Sequence, residues 1–235
     1  MKNLNILSGG AAQGLVGSLA PAFKAETGFD IAGEFGAVGA MAEKLRAGVP
    51  ADIVILTAAL IGRLADEGLV ERSSIADIGR VATALAVRAG DPLVRAEDAT
   101  SLRSTLLAAD AIFVPDTKAS TAGIHVAKVL TRLGIESDVA ERLKVFPNGT
   151  TAMRHLADSD ARRPIGCTQS TEIISTEGVE LSGALPPGFE LATMYTAAIA
   201  TRPSAASQAQ RLIELLTSSG AAELRGRAGF VSESG

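Results

Sequence analysis

The residues able to do chemistry in this chain lie where short apolar runs end and amphipathic runs begin. Ser8-Gly9-Gly10-Ala11, Phe35-Gly36-Ala37-Val38-Gly39, Thr57, Lys118-Ala119-Ser120-Thr121 and Cys167-Thr168-Gln169-Ser170-Thr171 all occupy such junctions. Small residues at a strand-to-helix turn bare backbone N–H groups at the positive end of a helix, a ready place for an anion. A tight turn with a helix cap explains any one of these loops. Their recurrence points to one shared anion site, lined by Ser8, Gly9, Gly10, Ala11, Gly36, Val38, Thr57, Lys118, Ser120, Thr121, Thr168 and Gln169. Lys118 beside a helix start is the cation best placed to hold a carboxylate, with a plain surface lysine as the competing reading. His125 lies one turn into the helix opening at Ser120-Thr121, so its ring can serve as a base or simply as packing. Glu172, early in a short helix, is either a base or a carboxylate stabilising the helix dipole. Cys167 follows apolar Ile165 and reads as buried and inert, and His155 reads as solvated surface.

Other chemistries are excluded by spacing. Gly9-Gly10 and Gly14 match neither the dinucleotide fingerprint nor a phosphate loop ending in Gly-Lys-Ser/Thr, so no nucleotide cofactor is expected. One cysteine and two histidines supply no metal-ligand cluster. Aromatic residues are only 3% of the chain and the basic residues are scattered, which argues against nucleic acid as a partner. No apolar run approaches the roughly 20 residues that span a bilayer.

The elements that must position these loops alternate. Strands are predicted over 4–8, 29–35 and 52–56, and helices over 11–27, 38–47 and 57–67, with Gly28, Gly48 and Gly68 as stops. That rhythm indicates a parallel α/β sheet. An extended run at 80–88 precedes a second block: helix 101–108, strand 111–114, helices 121–133 and 138–143, strand 144–146, helix 150–157, strand 165–168 and a short helix at 170–175. Another extended run covers 190–201, followed by helix 204–217 and an amphipathic piece at 220–227. Two extended runs bracketing one complete block predict two lobes, 1–80 plus 200–235 and 89–189, with 81–88 and 190–199 as hinge strands. A ligand cleft between the lobes would then lie at the carboxyl ends of strands. At 235 residues and 47% hydrophobic, the chain can fill two such cores.

The residues also resemble a known family. Leu4–Phe23, Glu34-Phe35-Gly36-Ala37-Val38-Gly39, Pro50-Ala51-Asp52-Ile53-Val54, Gly68-Leu69-Val70, Phe113-Val114-Pro115-Asp116 and Gly123-Ile124-His125 follow in the order seen in periplasmic molybdate-binding proteins of ABC importers. The resemblance covers nearly the whole chain. It implies a type II solute-binding-protein fold: two α/β lobes, a two-strand hinge and an interdomain cleft. Where that family holds its oxyanion with two serines and a tyrosine, this chain has Ala11, Val38 and Gln169. Losing three hydrogen bonds to a buried charge, each worth about 1.5–3 kcal/mol, disfavours molybdate.

Leu7-Ser8-Gly9-Gly10, Asp77-Ile78-Gly79-Arg80 and Ala86-Val87-Arg88-Ala89-Gly90 are similar to a divergent subgroup that includes aconitate isomerase. The resemblance implies a proton-shifting isomerase acting on a tricarboxylate. The lack of hydroxyl side chains at Ala11 and Val38 makes room for a larger organic anion, a di- or tricarboxylate, and position along the helices, not the resemblance, offers His125 or Glu172 as base. The alternative is a non-catalytic binding protein serving an ABC importer if exported. Met1-Lys2-Asn3 is followed at once by a strand pattern with no apolar leader. The expectation is therefore cytoplasmic if Met1 is the native start, and periplasmic if a leader has been removed.

Overall fold

The computed structural model describes residues 2–231, and the chain divides into two compact units. The first runs to Val81 and resumes at Thr193; the second is Ala82–Ala192. The chain thus passes from one unit to the other twice, once in each of two strands.

In the first unit the elements are β1 (Asn3–Gly9), α1 (Gln13–Thr27), β2 (Asp30–Gly36), α2 (Val38–Arg46), β3 (Ile53–Thr57), α3 (Ala58–Asp66) and the start of β4 (Ala76–Arg88). β1 pairs in parallel with both β2 and β3. Buried on both faces, β3 reads Ile53-Val54-Ile55-Leu56-Thr57 without a polar break until its last residue, as a central parallel strand must. Gly28 ends α1 at a φ of 74°, a conformation open to glycine at little cost. The core gathers Leu4 and Ile6 of β1, Phe23 of α1, Leu64 of α3 and residues contributed from the far end of the chain.

In the second unit β4 continues into α4 (Ala99–Ala108), β5 (Ala111–Pro115), α5 (Thr121–Leu133), α6 (Glu136–Val139), β6 (Leu143–Phe146), α7 (Gly149–Ala157), β7 (Pro164–Gln169), α8 (Ser170–Ile174) and β8 (Val179–Ala184). β5 is parallel to β6 and β7, whereas β4 runs antiparallel to β7 and β8. Alternation along these strands sends side chains to opposite faces. Leu85, Ile165 and Cys167 join α4 and α5 residues in one apolar cluster. Ala84 and Ala86 join Met153 and Leu156 of α7 in another. β9 (Ala192–Ile199) then leads back to the first unit, where α9 (Ala206–Thr217) and α10 (Ala222–Arg227) follow. There Leu212 and Ile213 of α9 complete the first core.

Several expectations need correction. The sheet is mixed rather than parallel, because β9 lies antiparallel on β3 and β4 antiparallel on β7. β8 has no counterpart among the predicted strands; its half-exposed Val179–Ala184 carries no clean alternation and is defined by pairing with β4. Residues 138–143 form only the end of α6 and a 3-10 turn before β6. Residues 10–12 form a separate 3-10 turn ahead of α1.

Candidate functional site

In the first unit, Gly9 at the end of β1 stands opposite Gly36 at the end of β2. From these ends the chain enters the 3-10 turn leading to α1, and α2. Neither helix has a side-chain cap or an acidic residue in its first turn. A Cβ on Gly9 would lie 2.8 Å from Val38 Cγ1 and 3.0 Å from Tyr195 Cε1, so the close approach of three elements requires glycine. The Ser8 hydroxyl is buried and donates to the Gly9 carbonyl at 2.9 Å. Thr57 caps α3 by accepting from the Leu60 amide, and pairs across the sheet with Tyr195. Ala11 and Val38 were expected to leave room for a ligand. Both are buried in the apolar core cluster of this unit. This end of the unit thus presents backbone amides near Gly10 and Gly36, with Tyr195 beside them. The sequence reading did not single out Tyr195, since its only signal is an isolated aromatic residue in a strand.

In the second unit, Asp116 Oδ1 accepts from the amides of Lys118 (2.7 Å) and Ala119 (2.8 Å), which holds its carboxyl below the usual range. This turn delivers Ser120 to the N-cap of α5, where its hydroxyl makes no capping bond. A Cβ on Gly123 would fall 2.6 Å from the Asp116 carbonyl carbon, so α5 starts pressed against the strand end it follows. Thr121 opens the helix half-buried, and the Lys118 side chain is exposed. His125 is half-buried, with Nε2 2.7 Å from the Phe189 carbonyl. That carbonyl can only accept, so Nε2 carries the proton and any basic lone pair is on Nδ1. Arg132, two turns further along, stacks 4.4 Å over the Phe189 ring and donates to the Gly188 carbonyl. His125 therefore helps α5 hold the turn before β9.

Glu172 is buried, and its surroundings correct the expectation of a free base. Thr168 Oγ1 donates to its Oε2 at 2.6 Å, and the amides of Gln169, Gly149 and Thr150 also bond to the carboxylate. Gly149 and Thr150 open α7, whose next amide, Thr151, is taken by Asn148 Oδ1. Glu172 is thus the carboxyl group that closes the α7 N-terminus, and the lone pairs a base would use are occupied. Burial still pushes its pKa up, against the pull of those hydrogen bonds. Thr168, expected on a ligand, is spent on the same cluster. Burial pushes the Cys167 thiol up to about 12, consistent with an inert core cysteine. His155 is exposed as expected, yet it also stacks on Phe146 with ring centroids 4.4 Å apart.

Gln169 stands apart from these satisfied groups. It ends β7, is 3% exposed, and neither Oε1 nor Nε2 has a hydrogen-bond partner. The buried hydroxyls of Thr83, Thr150 and Thr171 are also unpartnered. Buried polar atoms normally find partners, because leaving one unpaired costs about 1–3 kcal/mol. Thr83 in particular left no signal in the sequence. Among the described residues no three or more His, Cys, Asp or Glu gather as a metal site would need, and no helix is long and apolar enough to cross a membrane.

Two α/β units exchanged by two strands, with helices opening at the strand ends, define a type II solute-binding fold. Residues 4–231 match the bacterial extracellular solute-binding proteins, and the chain belongs to that family. It is similar to aconitate isomerase of a Pseudomonas species, at 26% identity over 94% of this chain and 84% of that protein. Among solved structures, the periplasmic molybdate-binding protein of Azotobacter vinelandii superposes with a TM-score of 0.81, at 18% identity, covering 97% of this chain and 98% of that one. The sulfate-binding protein SubI of Mycobacterium tuberculosis H37Rv gives a TM-score of 0.76 at 20% identity, covering 100% of this chain and 88% of that one.

Proposed function

We propose that this protein binds a small organic acid anion, a di- or tricarboxylate, without transforming it. The reading rests on how the long helices begin. α3, α4 and α7 are capped by the side chains of Thr57, Asp98 and Asn148, and Asp52 accepts from the Ser204 and Ala205 amides just ahead of α9. α1, α2 and α5 have neither a capping side chain nor an acid in the first turn. Each of the three follows the carboxyl end of a strand. Helix N-termini left open at strand ends favour an anion supplied from outside, and Lys118 adds a positive charge near one of them. In the second unit, Gln169 and the unpartnered threonine hydroxyls offer donors for carboxylate oxygens. As a family member of this kind, the protein would deliver its ligand to an ABC importer.

Isothermal calorimetry and thermal shift with succinate, malate, citrate, cis- and trans-aconitate, molybdate and sulfate test the reading. Ligand at a hundred times its Kd stabilises by about 2.7 kcal/mol, a readily seen shift. Organic acids should bind, and binding confined to molybdate or sulfate would overturn the proposal. Lys118→Ala should weaken binding of whichever acid is held.

The curated relative favours a second reading, a proton-shifting isomerase acting on a tricarboxylate. In it, Nδ1 of His125 would serve as the base. Proton spectra of cis- and trans-aconitate incubated with the protein decide between the two. Interconversion abolished by His125→Ala would replace the binder with the enzyme.

A further inference from the structure

We infer that the ligand must carry its own O–H donor beside its anionic group, as a hydroxycarboxylate does. The inference rests on the organic-anion reading above and narrows it. Its basis is the pair formed by Gln169 on β7 and Thr83 on β4. These residues are direct partners in the antiparallel ladder, and residues opposite each other in such a ladder project from the same face. They are 3% and 1% exposed, so both are withdrawn from solvent. Yet neither the two amide atoms nor the hydroxyl has a partner, not even each other. On the neighbouring position, Thr168 is spent on Glu172, so the lack of partners is particular to one face of the strand pair.

The chemistry of that pair is two-sided. Gln169 Nε2 donates and its Oε1 accepts, while Thr83 Oγ1 can do either. A fully deprotonated anion such as sulfate or succinate supplies acceptors only. It would satisfy Nε2 and Thr83 but set its own oxygens against Oε1, leaving that carbonyl buried without a donor. Rotating the amide exchanges the two atoms and does not remove the problem. An anion with a neighbouring hydroxyl answers both halves: its carboxylate accepts from Nε2 and Thr83, and its O–H donates to Oε1. Hydrogen phosphate carries the same chemistry on one centre. A site built to pair with a ligand hydroxyl discriminates strongly against the analogue without it, since the buried acceptor is then stranded.

Calorimetry at pH 7.4 on matched pairs tests this: malate against succinate, citrate against tricarballylate, and phosphate against sulfate. The hydroxylated member of each organic pair should bind about ten- to a hundred-fold more tightly. Gln169→Leu should bring the ratio below about three-fold, and Thr83→Val should weaken both members while the ratio persists. Far-ultraviolet dichroism and melting checks that each variant is folded; the two variants lie on different strands, so misfolding of one leaves the other informative. Equal affinity for malate and succinate, or a ratio unchanged in Gln169→Leu, overturns the inference and leaves organic-anion binding standing. Preference for phosphate over sulfate, with no organic acid bound, keeps the O–H rule and sinks the organic reading. No binding by any of the six overturns both.

Discussion

Gly149→Ala isolates the junction between α7 and α8. Gly149 is buried at the first position of α7, and its φ is not among the positive values found for other glycines. An alanine there needs no change of backbone, so the whole penalty is steric. The added Cβ would lie 2.5 Å from the Glu172 carboxyl carbon and closer still to Oε2 and to Thr168 Oγ1. To make room, the carboxylate must leave the amides of Gly149 and Thr150, and its bond from Thr168 must stretch. Three weakened bonds to a buried carboxylate cost about 3–5 kcal/mol together, and alanine returns up to about 1 kcal/mol in helix propensity. The net loss is about 2–4 kcal/mol, or a fall in Tm of about 6–12 °C for a chain of this length. Gly62→Ala is the control: it sits mid-helix in α3 with nothing within 4 Å of its Cβ, and should hold or raise stability. Differential scanning calorimetry reads both, and in a Gly149→Ala, Glu172→Ala double variant the alanine at 149 should cost less than in wild type, since only its clash with Thr168 Oγ1 remains. A Gly149→Ala protein melting within about 1 °C of wild type would refute the steric argument.

Three more outcomes follow from the same cluster and its counterpart in the first unit. Because burial raises the Glu172 pKa above its ordinary 4.5, the folded state holds a proton there that the unfolded chain releases. Its contribution to stability is therefore complete below pH 4.5 and is lost as pH rises through the folded value. The urea-measured stability of wild type relative to Glu172→Gln should fall across that window; a rise would contradict the sign. Asp52 is buried and accepts from the Asn5, Ser204 and Ala205 amides and the Ser204 hydroxyl, joining β1, β3 and the start of α9. Asp52→Ala should cost about 3–5 kcal/mol by chemical denaturation, and a cost below about 1 kcal/mol would show those donors finding other partners. Cys167, with its thiol pushed up to about 12, should resist a thiol reagent at pH 8 in the native state and react fully in denaturant.

Much of the scaffold was legible in the residues themselves. α5 spans 121–133 as its apolar spacing predicts, and β3 is the fully buried strand that its unbroken Ile-Val-Ile-Leu run describes. Gly28 stops α1 in the left-handed conformation that other residues adopt only at a cost. Loops at strand ends were recognisable as candidate anion sites because small residues and helix starts are local features. The role of each side chain in them was not. A serine, threonine or glutamate at a helix start reads identically in sequence whether it waits for a ligand or is already bonded. Partners distant along the chain decide which. Thr168 and Glu172 close α7 because Gly149 lies against them; Val38 lies against Gly9 within the first core; His125 meets the Phe189 carbonyl. Gln169 and Thr83 are left unpaired because strand pairing sets them opposite each other, facing away from the Glu172 carboxylate that accepts from Thr168. Local periodicity dictates which residues form helices and strands, since it depends on neighbours a few positions away. Hydrogen-bond satisfaction is settled only when distant segments are packed, and in this chain it separates side chains bonded within the fold, such as Thr168, from unpaired ones such as Gln169.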